Sequence, residues 1–236
     1  MVKHIYTPRA GMSQFGLSGN YGLPQLTRGG TGRVHAFFLG SRSSEYGNKV
    51  ETTFHIPADL PNSLIVVYNI YPDEQTPDIV TSATYDSVAM TRGAIPEGND
   101  RAVVMWYLTS PNTGISTFST TQSVSSPPVA VVGFLLTGVH QSSPVADNDA
   151  LILSSSNTVL TSSGFVEGGL ITGAGTSRFG ATTYTTDSDE QYPDFLNYLS
   201  SAVTQRASVK YTDNSLNWVS STGADVVVSQ TAWRPA

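Results

Sequence analysis

The chain has 236 residues with 12 basic and 18 acidic side chains, a net charge of −6 and no cysteine. Only 13% of it is charged, while 30 serines and 27 threonines supply the polarity. This balance disfavours long solvated helices and a basic nucleic-acid groove, and it removes disulfides, thiolate nucleophiles and cysteine-based metal sites.

Residues 1–32 read as an extended glycine-rich arm. Gly11, Gly16, Gly19, Gly22, Gly29, Gly30 and Gly32 separate isolated apolar residues, among them Met12, Phe15, Leu17, Tyr21 and Leu23, with no period of 2 or 3.6. The segment is either a frayed terminus or an arm that orders against a neighbouring subunit. Met1–Tyr6 lacks the apolar stretch of a secretory signal, and no apolar run approaches the ~18 residues of a membrane span.

From Arg33 to the end, residues 33–236, short β-type runs alternate with turn signals. The expected strands are Val34–Leu39, Val50–Ile56, Leu64–Tyr71, Thr81–Tyr85, Val88–Arg92, Ala102–Thr109, Ile115–Thr121 and Val129–Thr137. A weak Ala150–Leu153 follows, then Gly164–Thr172, Gly180–Tyr184, Ala207–Tyr211, a stretch at Trp218, and Asp225–Trp233. Leu64–Tyr68 and Val129–Leu136 are apolar at both parities, as in central strands covered on both faces. In the last run Val226, Val228 and Ala232 face one way and Val227 and Trp233 the other. Pro57, Pro61, Pro72, Pro77, Pro96, Pro111, Pro127, Pro128 and Pro144 fall between runs. Phe195, Leu196, Leu199 and Val203 after Pro193 have helical spacing and predict one short helix. Heptads and 20–50-residue repeats are missing. The fold class expected is an all-β antiparallel sandwich, jelly-roll-like, in one domain behind the arm.

Catalytic signals are weak. His35 and His55 lie in strand-like runs, His140 reads as part of a turn, and no serine sits in a nucleophile elbow. The acids Asp73/Glu74/Asp78, Glu97/Asp100, Asp147/Asp149 and Asp187/Asp189/Glu190 cluster at expected turns. Asp147-Asn148-Asp149 and Asp187-Ser188-Asp189-Glu190 have oxygens to offer Ca²⁺, without EF-hand spacing. Gly173–Gly180 departs from the dinucleotide fingerprint and reads as glycine-rich turns. Among the aromatics, Trp106 belongs to a core run; packing in the core or at its rim is the first reading for each of the others, and Trp218, Tyr184 and Tyr192 are the candidates if an exposed sugar-stacking platform exists.

Residues 60–236 carry a series of landmarks. They are Ser63–Val67, Ala83-Thr84-Tyr85-Asp86-Ser87-Val88-Ala89-Met90-Thr91, Trp106-Tyr107-Leu108-Thr109-Ser110-Pro111-Asn112-Thr113-Gly114, Gly133–Pro144 and Val226–Pro235. Together they resemble a β-sandwich module of phage virion proteins and bacterial surface or secreted proteins. The resemblance departs at Asp86-Ser87, where Gly-Gly is common, which points to a longer or differently turned hairpin. It implies no catalytic residues.

The expectation is a non-enzymatic structural protein of a bacteriophage particle, a capsid decoration or cement protein. It would be made in the host cytoplasm and located in the virion. Its partners would be the major capsid protein or tail components and further copies of itself, with neither nucleic acid nor membrane. The alternatives are a tail or fibre protein, or a lectin-like module binding a host glycan through Trp218, Tyr184 and Tyr192. A polysaccharide depolymerase, which needs two carboxylates in a cleft, comes last.

Overall fold

The computed structural model describes residues 32–44, 47–71, 80–93, 102–126, 129–153, 158–161, 165–177, 184–186, 188, 190–193, 205–211, 215–220 and 226–236. The arm, with Met12, Phe15, Leu17, Tyr21 and Leu23, lies outside the described residues, as does the expected helix after Pro193. Among the described residues no helix is long and apolar enough to cross a membrane.

The first half holds β1 (His35–Ser44), β2 (Gly47–Ile56), β3 (Leu64–Tyr71), β4 (Val80–Tyr85), β5 (Val88–Ala89), β6 (Thr91–Arg92), β7 (Ala102–Thr109), β8 (Gly114–Ser126) and β9 (Val129–Thr137). They form an inner sheet in the order β1-β9-β3-β7-β6 and an outer sheet in the order β2-β8-β4-β5. This is jelly-roll order. One expected strand, Val88–Arg92, is split at the buried Met90: β5 pairs with β4 in the outer sheet and β6 with β7 in the inner one.

The second half holds β10 (Val145–Leu153), β11 (Thr158–Thr161), β12 (Leu170–Ser177), β13 (Tyr184–Thr186), β14 (Glu190–Pro193), β15 (Gln205–Lys210), β16 (Ser215–Ser220) and β17 (Val226–Trp233). Its sheets run β10-β17-β12-β15-β14 and β11-β16-β13. Replacing each strand by its counterpart turns one half into the other, with only β5 lacking an equivalent. The chain is thus a topological duplication with a period of about 100 residues, longer than the 20–50 residues of solenoid and propeller repeats.

The two inner sheets pack face to face, so the molecule has four sheet layers and three cores. Strand parity explains how. Leu64, Val66, Tyr68 and Ile70 of β3 join Val103, Met105, Ala130, Val132, Phe134, Leu170, Ala174, Ala207, Val209, Val227 and Trp233 in the middle core. The opposite parity, Ile65, Val67 and Tyr71, packs with Phe54, Val104, Trp106, Phe118, Val131 and Leu135 in the first outer core. Ile171, Leu216, Trp218, Val226, Val228 and Ala232 form the third. Every residue of β3, β9 and β17 is buried, as expected of strands covered on both faces. Each apolar side chain so buried contributes about 1.5–3 kcal/mol.

One polar knot ties the halves together across the middle core. The Trp233 indole N–H donates to Thr172 Oγ1 at 2.7 Å, and the Tyr68 hydroxyl shares a 2.7 Å hydrogen bond with the same oxygen. Burial pushes the Tyr68 phenol far above its ordinary range, with its hydrogen bonds to Thr172 and Thr231 opposing the rise. Tyr107 of the first half meets the Trp233 ring edge-on at 5.7 Å between centroids.

Several expectations change. Asp147-Asn148-Asp149 is not a turn: β10 pairs along its length with β17, and Asp149 stands opposite Gln230. Gly173-Ala174-Gly175 is not a turn either, but the middle of central strand β12. A Cβ at Gly173 or Gly175 would come within 3.0 or 3.2 Å of the Trp218 ring, so the absent side chains make room for the indole. The expected Gly164–Thr172 strand starts late because Gly168, at φ +83°, and Gly169 close a turn onto Val166. β11 and β14 are strands of four residues, too short for a period of 2 to mark them.

The Asp86-Ser87 departure does not lengthen its hairpin. Tyr85 pairs directly with Val88, and both turn residues take positive φ, 50° and 65°, as a two-residue type I′ turn requires. Ser87→Gly therefore raises stability by about 0.5–1 kcal/mol in chemical denaturation, since serine resists that conformation. An unchanged or lower midpoint would contradict this.

Candidate functional site

Four connections meet at one end of the first jelly roll: Pro57–Ser63 between β2 and β3, the Asp86-Ser87 turn, Ser110–Thr113 between β7 and β8, and Gly138–Pro144 after β9. Backbone bonds tie them together. Ser110 N donates to Ser63 O, Gly138 N to Pro61 O, Val139 N to Asn62 O and Asp86 N to Thr117 O. Side chains add further ties: Asn112 Nδ2 donates to Asp86 Oδ2 at 2.6 Å, Ser110 Oγ to Gln141 Oε1 at 2.9 Å, and Gln141 Nε2 to Val139 O at 2.8 Å.

All five non-glycine residues with positive φ among the described residues, Asp59, Asn62, Asp86, Ser87 and Ser110, sit in these loops. Gly138, at φ +72°, has the Arg33 carbonyl oxygen where a Cβ would stand. The exposed Asp59, Asn62, Asp86, Ser87, Ser110, Asn112, Thr113 and Ser142 thus form a polar, short-side-chain surface on a fixed backbone. Loops held by a rigid scaffold are where binding residues concentrate. Behind them, Arg234 donates to both the carbonyl and the hydroxyl of Ser143. His140 Nδ1 accepts from Ser143 N at 3.1 Å, a loop-closing role. The turn chemistry of Pro-Ala-Asp-Leu-Pro-Asn-Ser and Ser-Pro-Asn-Thr-Gly was the available signal for this surface.

A second exposed surface adjoins it on the outer sheet. Odd-numbered residues of β2 and β8 face solvent in register: His55 beside Ile115, Thr53 beside Thr117, Glu51 beside Ser119 and Lys49 beside Thr121. Ser82 and Thr84 of β4 continue the rows beyond Thr121 and Ser119. Ile115 is 77% exposed, and Lys49 pairs with Glu51 at 2.6 Å.

Trp218, the leading candidate for an exposed sugar platform, is fully buried. Its parity on β16 aims the ring between the two sheets of the second half, and its N–H donates to Gln230 Oε1 at 3.4 Å. It offers no face to a sugar. Tyr184 opens β13 and Tyr192 lies in β14, so the structure places these two strands in different sheets. Trp106 is buried as expected, and His35 and His55 are exposed strand residues. Asp149 has its carboxyl pushed up, first by burial and then by the neighbouring Asp147 charge, while Gln230 opposes the rise. Among the described residues no three His, Cys, Asp or Glu side chains gather into a metal-ligand group.

No protein-family description, curated protein or solved structure matches this chain.

Proposed function

We propose that this chain is a non-enzymatic structural protein of a bacteriophage particle, a decoration or cement protein that binds neighbouring virion subunits. The observation that carries the reading is the exposed surface of the first jelly roll, an in-register face of serine and threonine with Lys49, Glu51, His55 and Ile115 among them, beside a hydrogen-bonded loop end. Short hydroxyl side chains lose little rotamer freedom on docking, so such a face binds a protein partner at low entropic cost. A standard interface needs about 800 Å² from each partner. In this reading residues 1–32 order on the adjacent subunit, at about 1–2 kcal/mol per residue fixed, which a preformed lattice offsets. The carbohydrate-binding alternative loses its central aromatic with the burial of Trp218.

Quantitative mass spectrometry of purified particles tests the proposal. Hundreds of copies per particle are expected for a shell protein, and deletion of residues 1–32 should leave a folded chain that no longer joins the particle. Absence of the chain from purified particles would overturn the reading.

A further inference from the structure

The layer between the two sheets of the first jelly roll is not uniformly apolar. Asn69 on β3 and Thr120 on β8 are 0% exposed and Trp106 on β7 is 3% exposed. Neither amide atom of Asn69, nor the indole N–H of Trp106, nor the Thr120 hydroxyl meets a hydrogen-bonding partner in the protein.

Register brings these groups together. Val67 stands opposite Trp106 and Asn69 opposite Val104, so Asn69 and Trp106 are diagonal neighbours on one sheet face. Asn69 lies two residues before Tyr71 on β3, and Thr120 two residues before Gln122 on β8. Gln122 Nε2 donates to Tyr71 Oη at 3.1 Å across the layer, so Asn69 and Thr120 both flank that bond. Arg92, on edge strand β6 opposite Trp106, carries its guanidinium carbon 5.8 Å from the indole centroid. It extends the polar strip to the half-buried sheet edge.

The counterpart layer of the second half is filled differently. Leu64-Ile65 and Leu170-Ile171 open equivalent strands, which aligns Asn69 with Gly175, the residue that leaves space for the Trp218 ring. Where one half has an aromatic ring, the other has an amide.

The geometry points to an internal hydration site: ordered water held between Asn69, Trp106 and Thr120. Buried polar groups in folded proteins are paired, and water is the usual partner where protein atoms do not reach. The chemistry matches. The indole N–H and the Asn69 amide N–H offer donors, and Asn69 Oδ1 and Thr120 Oγ1 offer acceptors, which satisfies the two donors and two acceptors of water.

Water-selective NOE spectroscopy on the ¹⁵N-labelled full chain tests this, with Trp106→Phe identifying the Trp106 indole signal among the three tryptophans. The expected result is a cross-peak between that indole proton and long-lived water. Asn69→Leu should abolish it and lower the Tm by several degrees. Absence of the cross-peak in the native chain overturns the site, and so does a Tm raised by Asn69→Leu, which would mean a dry amide relieved of its burial.

Discussion

Thr172→Val lowers the stability of the whole chain by about 1–3 kcal/mol, the cost of stranding the Trp233 indole N–H, while Tyr68 loses one of its two hydrogen bonds and keeps Thr231. Valine keeps the shape of threonine but removes the one oxygen that both Tyr68 and Trp233 use. All three side chains are buried in the middle core, where water cannot replace the lost partner. Tyr68→Phe alone costs less, about 1 kcal/mol, because Thr172 still accepts from Trp233. The double variant should then be more stable than the sum of the two losses implies, since both changes remove the same Tyr68–Thr172 hydrogen bond. Urea denaturation of the four proteins measures this. A loss below about 0.5 kcal/mol for Thr172→Val, the range of ordinary surface changes, would contradict the polar knot.

Trp218→Ala costs about 3–5 kcal/mol, the range for removing a buried tryptophan. The indole fills the space left by Gly173 and Gly175 on β12 and packs with Leu216, Val226 and Val228. Its loss also frees Gln230 Oε1 inside the second half. A tryptophan on an exposed sugar platform would behave otherwise, with little change in stability and a loss of ligand binding. Equilibrium unfolding monitored by circular dichroism separates the two. A change within about 0.5 kcal/mol would place the ring outside the core.

The residues that misled the sequence reading explain why part of the fold was legible and part was not. Leu64–Tyr71, Ala102–Thr109 and Val129–Thr137 are strands over the expected spans because an inner strand of a stacked sandwich must be apolar at both parities. The facing of Val226–Trp233 follows from the same rule. The rule fails where tertiary packing overrides composition. Gly173 and Gly175 look like turn residues because their role is defined by a ring more than 40 positions away in the chain. Asp147 and Asp149 look like turn acids, yet an edge strand accepts charge and is shielded by it from stray pairing. Trp218 is the best candidate for exposure in the sequence because its neighbours Asn214, Ser215 and Asn217 are polar. A short outer strand has one polar face, and the tryptophan belongs to the other. The duplication was hidden for a similar reason: equivalent strands share order and parity, with few residues in common beyond the Leu-Ile that opens β3 and β12. The loop end was partly visible in its Pro, Asp, Asn and Ser content, but which loops converge is fixed only by jelly-roll order.

Differential scanning calorimetry of the intact chain asks whether the two jelly rolls share one core. The shared residues, from Tyr68 and Phe134 on one side to Ala174 and Trp233 on the other, require a single transition with equal calorimetric and van't Hoff enthalpies. Two resolved transitions, each spared by substitutions in the other half, would mean that the sandwiches fold as independent units.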